Sequence, residues 1–322
     1  MSIRPAVFSA RDPFEALEIA AVVTICSSRK KIKPAPRATP VSLTMGVQSQ
    51  LGTEWAQRLG ELAPETAAAS LYAGRAFRLA AQVAEESQAS FYILSAGLGI
   101  VPALRRVPAY ALTVTGSAAE SIKSRAIGPF DATAWFALLL NTPYSDQWST
   151  VAGRTDGRVL IALTQPYAEM VGTSLARLPS LARDRLRIFG AGLAEALPAE
   201  LTETIVPYDA RLDTIFPGTR SDFAQRAMLH FAKFVLPLRG QRDRSGDHEA
   251  VQNTLNTIEA PAWPKRPRRS DEEIIQLLVD RMRDQAGAGK LLRALRDGEG
   301  VACEQARFGR LYREAKQRSN AA

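Results

Sequence analysis

The chain has 322 residues, 46% of them hydrophobic, with a formal net charge of +8 carried mostly by arginine. That length supports one large domain and a small one with an ample core, and the basic surplus favours polyanionic partners, nucleic acid first. Two distant cysteines, Cys26 and Cys303, make neither a disulfide framework nor a metal cluster, and no apolar run approaches 18 residues, so a reducing cytoplasm is expected and secretion or membrane spanning is not.

In chain order, residues 20–26 form an apolar, β-branched run that ends in Ser27-Ser28-Arg29-Lys30-Lys31-Ile32-Lys33. This predicts a buried strand and a basic loop. Pro34, Pro36 and Pro40 keep the next segment extended. Helices are predicted over 54–62 and, alanine-rich, over 65–87, with Leu71, Phe77, Leu79 and Val83 available for packing. Phe91-Tyr92-Ile93-Leu94 is a second buried strand that empties into the small-residue loop Ser95-Ala96-Gly97-Leu98-Gly99. Strand, helical crossover, strand predicts a parallel pair.

A helix over 129–140 directs Trp135 and Phe136 to the core. A strand over 158–164 ends in Thr164-Gln165-Pro166-Tyr167, a helix follows to about 178, and a short strand over 185–189 ends in glycines. A strand and turn over 204–209 and an amphipathic helix over 221–236 complete the large domain. From 239 to 269 the composition turns polar and basic, with Pro261, Pro264 and Pro267 around Lys265, Arg266, Arg268 and Arg269. That reads as a linker. Ser270-Asp271-Glu272-Glu273 is a capping box that opens a helix. Two more helices, over 290–296 and 303–316, are parted by Gly298-Glu299-Gly300. The expected organisation is an α/β domain over 1–240, built on a central, mostly parallel sheet flanked by helices. A basic linker over 241–269 and a small helical module over 270–322 follow it.

Ligands of open α/β sheets bind outside the carboxyl ends of the strands, where the loops at 26–31, 95–99, 164–167 and 190–192 converge. Cys26, Ser27, Ser28, Arg29 and Lys30 either contact a phosphate or base edge or form a plain solvated loop. Cys26 has no histidine near it in sequence, which favours a buried cysteine over a nucleophile. The loop Ser95 to Gly99 lacks the Gly-Lys-Ser/Thr and Gly-x-Gly-x-x-Gly endings, but Ser95, Ala96, Gly97 and Gly99 permit close approach of a ligand.

His230 sits in an apolar helix and reads as structural. With no zinc-deaminase signature, neither a metal nor an organic cofactor is expected. Acid–base work then falls to a carboxylate. Asp209 comes first, because the Pro207-Tyr208 turn can aim it at the strand ends, although an Asx-turn role fits equally; Asp222 and Asp131 follow. Arg220, at a helix start, marks an anion site or an ordinary cap. The module's arginines are interspersed with acids, and its Leu291 to Gly300 turn followed by Arg307-Phe308 is similar to a helix-turn-helix or to a helical interaction module.

Three stretches taken together carry a resemblance: Ile25-Cys26-Ser27-Ser28-Arg29-Lys30-Lys31, Leu71-Tyr72-Ala73-Gly74-Arg75-Ala76-Phe77 and Phe91 to Gly99. They resemble the YaaA-related group of bacterial proteins, in which a Cys-Ser/Gly-x-x-Lys strand end, a Leu-Tyr-x-Gly helix and a Ser-Ala strand end follow in this order. The resemblance covers about residues 20–115, at most to 240, and not the module. It implies the α/β fold of uracil-DNA glycosylases and settings of DNA repair, base modification or phage defence.

The group's Pro-Tyr-Asp after the Ser-Ala loop is replaced here by Pro108-Ala109-Tyr110-Ala111, and a Pro-Tyr-Asp occurs later at Pro207-Tyr208-Asp209. The expected activity is therefore excision of a modified base from double- or single-stranded DNA, by hydrolysis of the N-glycosidic bond after base flipping. Asp209 would orient water, and Tyr110, Tyr167 or Tyr208 would stack on the base. The small residues from Ser95 to Gly99 would leave room for a bulky one. A non-catalytic nucleic-acid-binding regulator and an enzyme of free nucleotides or RNA bases are the alternatives.

Overall fold

The computed structural model describes residues 19–27, 29–115, 120–153, 156–238, 243–261, 267–282 and 287–321. Seven strands are found among them: β1 (Ile19–Ile25), the two-residue β2 (Thr66–Ala67), β3 (Ser90–Ser95), β4 (Gly99–Pro102), the two-residue β5 (Arg106–Val107), β6 (Arg158–Ala162) and β7 (Leu186–Phe189). Five form one sheet in the order β4-β3-β1-β6-β7, with β3, β1, β6 and β7 parallel and β4 antiparallel at the edge. β2 and β5 pair separately.

The register explains the unbroken apolar runs. Val23 lies beside Tyr92 on one side and Ile161 on the other, and Ile161 beside Ile188. Ala21, Val23, Ile161 and Ile188 face one apolar cluster, shared with Trp55, Trp135 and Val171. Val22, Leu160 and Phe189 face the second, shared with Val83, Met228 and Phe231. A parallel strand covered on both faces has no polar side to alternate with. The helices Gln48–Glu61, Ala132–Leu139 and Gln165–Ala176 contribute to the first cluster, and Arg75–Glu86 and Phe223–His230 to the second.

Several elements differ from expectation. β3 does not open into a loop: Ala96 to Leu98 turn tightly into β4, with Ser95 opposite Gly99. Gly99 takes a φ of +84°, and a Cβ there would collide with Ser145. The helix expected over 65–87 is broken. A single turn, Ala68–Leu71, is followed by extended Tyr72 and by Gly74 at φ +117°, and the helix restarts at Arg75. Propensity favours continuity here, but the segment 71–73 is hydrogen-bonded to the loop after β1 through Lys31 N–H to Leu71 O and Ala73 N–H to Arg29 O, both 2.9 Å.

The stretch 204–209 forms no strand beyond a single parallel bridge of Ile205 with Ile188. Within 241–269, Arg244–Asn256 is a helix whose Val251 and Leu255 belong to the second cluster, so this part of the expected linker is packed structure. Contacts divide the chain between Ala260 and Pro261.

In the second unit, the helices Asp271–Met282, Ala288–Arg293 and Gln305–Ala321 share a small core of Ile274, Leu278, Leu291, Leu295, Phe308 and Leu311. The capping box forms as expected: Glu273 accepts from Ser270 N–H at 2.7 Å and Ser270 Oγ accepts from Glu273 N–H at 3.2 Å. Among the described residues no helix is long and apolar enough to cross a membrane.

Candidate functional site

β1 is the strand at which the connections diverge: the chain crosses from it to β3 on one side and later adds β6 on the other. The crevice outside the carboxyl ends at such a point is where open α/β sheets take ligands. Cys26 follows β1, and its N–H is held by Leu94 O at 2.8 Å. Tyr167 lies in the first turn of the helix after β6, fixed there because Thr164 O accepts from the N–H of Tyr167 and Ala168 at 3.0 and 2.9 Å. The two meet beyond the carboxyl ends of β1 and β6, with the Tyr167 hydroxyl 3.1 Å from Cys26 Sγ.

Beneath them runs a directional chain of hydroxyls. Ser95 Oγ accepts the N–H of Gly97 at 3.0 Å and of Leu98 at 2.9 Å. A hydroxyl oxygen has two lone pairs, and both are then taken. Ser95 can only donate to Tyr110 Oη, to which it is hydrogen-bonded. Tyr110 in turn donates to Tyr72 Oη at 2.7 Å. The proton at the free end belongs to Tyr72.

Burial, and secondarily the Cys26 thiol, pushes the Tyr72 hydroxyl above the usual phenol range. Burial also pushes Tyr110 and Tyr167 well above it, with neighbouring Tyr72 and Cys26 adding to the effect. At neutral pH all three are proton donors, not bases. Lys30 Nζ lies 4.8 Å from the centroid of the Tyr110 ring. Such a contact stabilises by about 0.5–2 kcal/mol, more as water is excluded.

The turn that carries Ser95 is rigid. Trp135 Nε1–H donates to Ala96 O at 2.9 Å and Trp55 Nε1–H to Gly97 O at 2.7 Å. Gly97 is required for a reason other than access: a Cβ there would lie 2.5 Å from the Tyr110 ring. The space expected to admit a bulky base beside Ser95 to Gly99 is occupied by Tyr110, whose ring is fully buried. That expectation is corrected: the small residues make room for this protein's own tyrosine.

The structure thus brings together Cys26, Lys30, Ser95, Tyr110, Tyr167 and the turn Ala96–Gly97. Thr164 acts through its carbonyl. Ser27 Oγ accepts from Arg29 N–H at 3.1 Å and shapes the loop; Ser28 lies outside the described residues.

Five expected residues sit elsewhere. Tyr208 packs on the second sheet face, its hydroxyl 2.7 Å from His230 Nδ1. Asp209 is half exposed and gripped by Arg211, whose guanidinium holds its carboxyl below the usual range. No described contact brings it to the hydroxyl cluster. Asp222 is buried and pairs with Arg226 at 2.8 Å and Arg75 at 3.1 Å, and Asp131 caps the helix Ala132–Leu139. Arg220 is exposed in the turn that leads into Phe223–His230.

No family model, no curated protein and no solved structure matches the chain.

One of its residues escaped sequence reasoning. Tyr72 lay inside an apparent helix, and only Gly74 two residues on signalled the break. Outside the cluster, on the opposite face of β1, Gln225 Nε2 donates to Thr24 Oγ1 at 3.1 Å, and its Oε1 is buried with no partner among the described residues. An acceptor left unpaired in the interior costs about 1–3 kcal/mol.

A second polar cluster lies toward the amino ends of the strands. Arg158 and Arg187 both bind the buried carboxylate of Asp247, at 2.7 and 2.6 Å. The cleft of about 670 Å³ near it is lined by Asp184, Glu203 and Asp243 together with Arg185 and Arg244. Charges of both signs there select neither an anion nor a cation.

Proposed function

We propose that the first unit is a glycosylase-like enzyme that removes a modified base from DNA. One observation carries this reading: Cys26 and Tyr167 meet beyond the carboxyl ends of β1 and β6, above a directional hydroxyl chain that ends on Tyr72. The flipped base enters this crevice; extrusion costs a few kcal/mol, least for a base that already pairs poorly. The bond between C1′ and the base nitrogen breaks, and its electron pair leaves with the base. Phenolic donors aimed at that developing negative charge lower the barrier because they need no reorganisation. Tyr167 supplies one, Lys30 adds a nearby positive charge, and the buried Tyr72 supports the site from beneath. Water then adds to C1′ and releases its proton to solvent. Asp209, occupied by Arg211, is given no step.

The test is an abasic-site assay: end-labelled DNA with several modified bases is incubated with the protein and then cleaved with alkali. Tyr167→Phe is expected to slow scission by about 10²- to 10³-fold, as loss of one preorganised donor does. Asp209→Asn is expected to stay within threefold of wild type. Loss of activity in Asp209→Asn with retention in Tyr167→Phe would move the chemistry to the other sheet face.

A second reading, nucleic-acid binding without cleavage, is favoured by one fact. Among the described residues, no carboxylate is hydrogen-bonded into the Tyr72–Tyr110–Ser95 chain or to Cys26 or Tyr167. Absence of scission across all substrates would select it.

A further inference from the structure

The second unit holds charge out of proportion to its size. Residues 261–322 contain 14 Lys and Arg against 9 Asp and Glu, a net +5 of the chain's +8. Much of this is spoken for. Arg307 and Arg310 bind Asp271 at 2.6 and 2.7 Å, Arg318 binds Glu272 and Glu314, and Arg281 binds Glu299. Three arginines of the helix Gln305–Ala321 are thus committed to carboxylates, two of them solely to the first turn of Asp271–Met282. That depletes the free cationic face on which a helix reading the major groove depends.

One place differs. A cleft of about 430 Å³ is lined by Arg268, Arg296 and Arg307, with Glu304 as its one carboxylate among the described residues. Its walls are set by the main chain: Ala302 N–H donates to Pro267 O at 3.1 Å, which lays extended Arg268 along the loop before the last helix. Arg296 donates Nε–H and Nη2–H to Cys303 O at 3.1 and 2.8 Å. Arg307 uses Nε–H and Nη2–H on Asp271. A guanidinium has five N–H donors, so each retains Nη1 for another acceptor. Among the described residues Arg268 has no carboxylate partner and is exposed. With Arg307 paired to Asp271, Arg268 and Arg296 against Glu304 leave a net positive charge in a concavity, where the field is focused.

We propose that this cleft docks the phosphate backbone of nucleic acid. Forked N–H donors suit phosphate oxygens. Arg268 belongs in sequence to Lys265-Arg266-Pro267-Arg268-Arg269, a run of cations that suits a linear polyanion better than a small one. Among the described residues the lining has no aromatic side chain on which a base would stack. The contact is therefore to backbone, without base preference, and positions the nucleic acid instead of reading it. The inference does not depend on the glycosylase reading: binding needs no cleavage, and failure of the abasic-site assay leaves it standing.

The full chain is titrated against fluorescein-labelled duplexes of unrelated sequence, by anisotropy, over a range of salt. Affinity should fall linearly with salt on logarithmic axes. Arg268→Ala, which holds no side chain in place, should weaken every duplex alike, by about five- to tenfold, and lower the salt slope by about one. Glu304→Gln should tighten binding severalfold. The proposal is overturned if the wild-type chain binds no duplex at low salt. It is also overturned if both variants keep wild-type affinity and slope. Displacement of DNA by polyglutamate at equal charge concentration would likewise overturn it, in favour of an acidic protein partner.

Discussion

Replacing Tyr110 by Phe removes one oxygen from the middle of the hydroxyl chain and orphans a group on each side. Ser95 loses Tyr110 Oη as the acceptor of its proton, while Gly97 and Leu98 fill both its lone pairs. Tyr72 loses its donor at 2.7 Å. Ser95 and Tyr110 are 0% exposed and Tyr72 1%, so water cannot substitute. Two unpaired buried groups at about 1–3 kcal/mol each predict a loss of about 2–4 kcal/mol, after allowance for hydroxyl rotation.

For a unit of this size that lowers the melting temperature by about 2–4 °C per kcal/mol, read by calorimetry or circular dichroism. Tyr144→Phe is the control: among the described residues its hydroxyl makes a single bond, to Leu59 O at 3.1 Å, and its loss should cost about 1 kcal/mol. The double variant Tyr72→Phe/Tyr110→Phe should cost less than the sum of the two singles by about 1 kcal/mol, because the second change removes a group the first had orphaned. A Tyr110→Phe protein that melts with the control, or strictly additive singles, would refute the directional chain.

The remaining predictions concern neighbouring features. Asp247→Ala leaves Arg158 and Arg187 buried without their carboxylate and should cost about 3–5 kcal/mol in urea denaturation; replacing all three by apolar residues should recover much of it. Gly97→Ala places a methyl against the Tyr110 ring and should cost about 1–3 kcal/mol, with Tyr110→Leu relieving part of the strain.

The phenols of Tyr72 and Tyr110 are raised by burial above the ordinary value of 10.0, so the folded state holds protons that the unfolded chain releases. Stability should be level below about pH 10 and fall above it; the fall should be shallower in Tyr72→Phe/Tyr110→Phe, as followed by tyrosinate absorbance and melting. Ser270→Ala breaks the capping box and should cost the second unit about 1 kcal/mol, seen as faster amide exchange in Asp271–Met282.

The sequence alone determined what local chemistry decides. Unbroken apolar runs at β1, β3, β6 and β7 announced strands buried on both faces, and the spacing of Ser270 and Glu273 announced a helix start. Cys26, Ser95 and Tyr167 were legible as candidates because each sits where a strand ends.

What the sequence could not specify is which side chains face each other. Tyr72 entered the site because backbone pairing with the loop after β1 outweighed the helical propensity of 65–87. Tyr110 filled the space beside Gly97, which sequence reasoning had left open for a ligand. Asp209 and Tyr208, adjacent in sequence to a promising turn, went to a carboxylate–guanidinium pair and to the opposite face of the sheet. Those outcomes depend on strand order and on contacts between residues tens of positions apart. A local pattern carries no information about which partner will satisfy a buried hydroxyl.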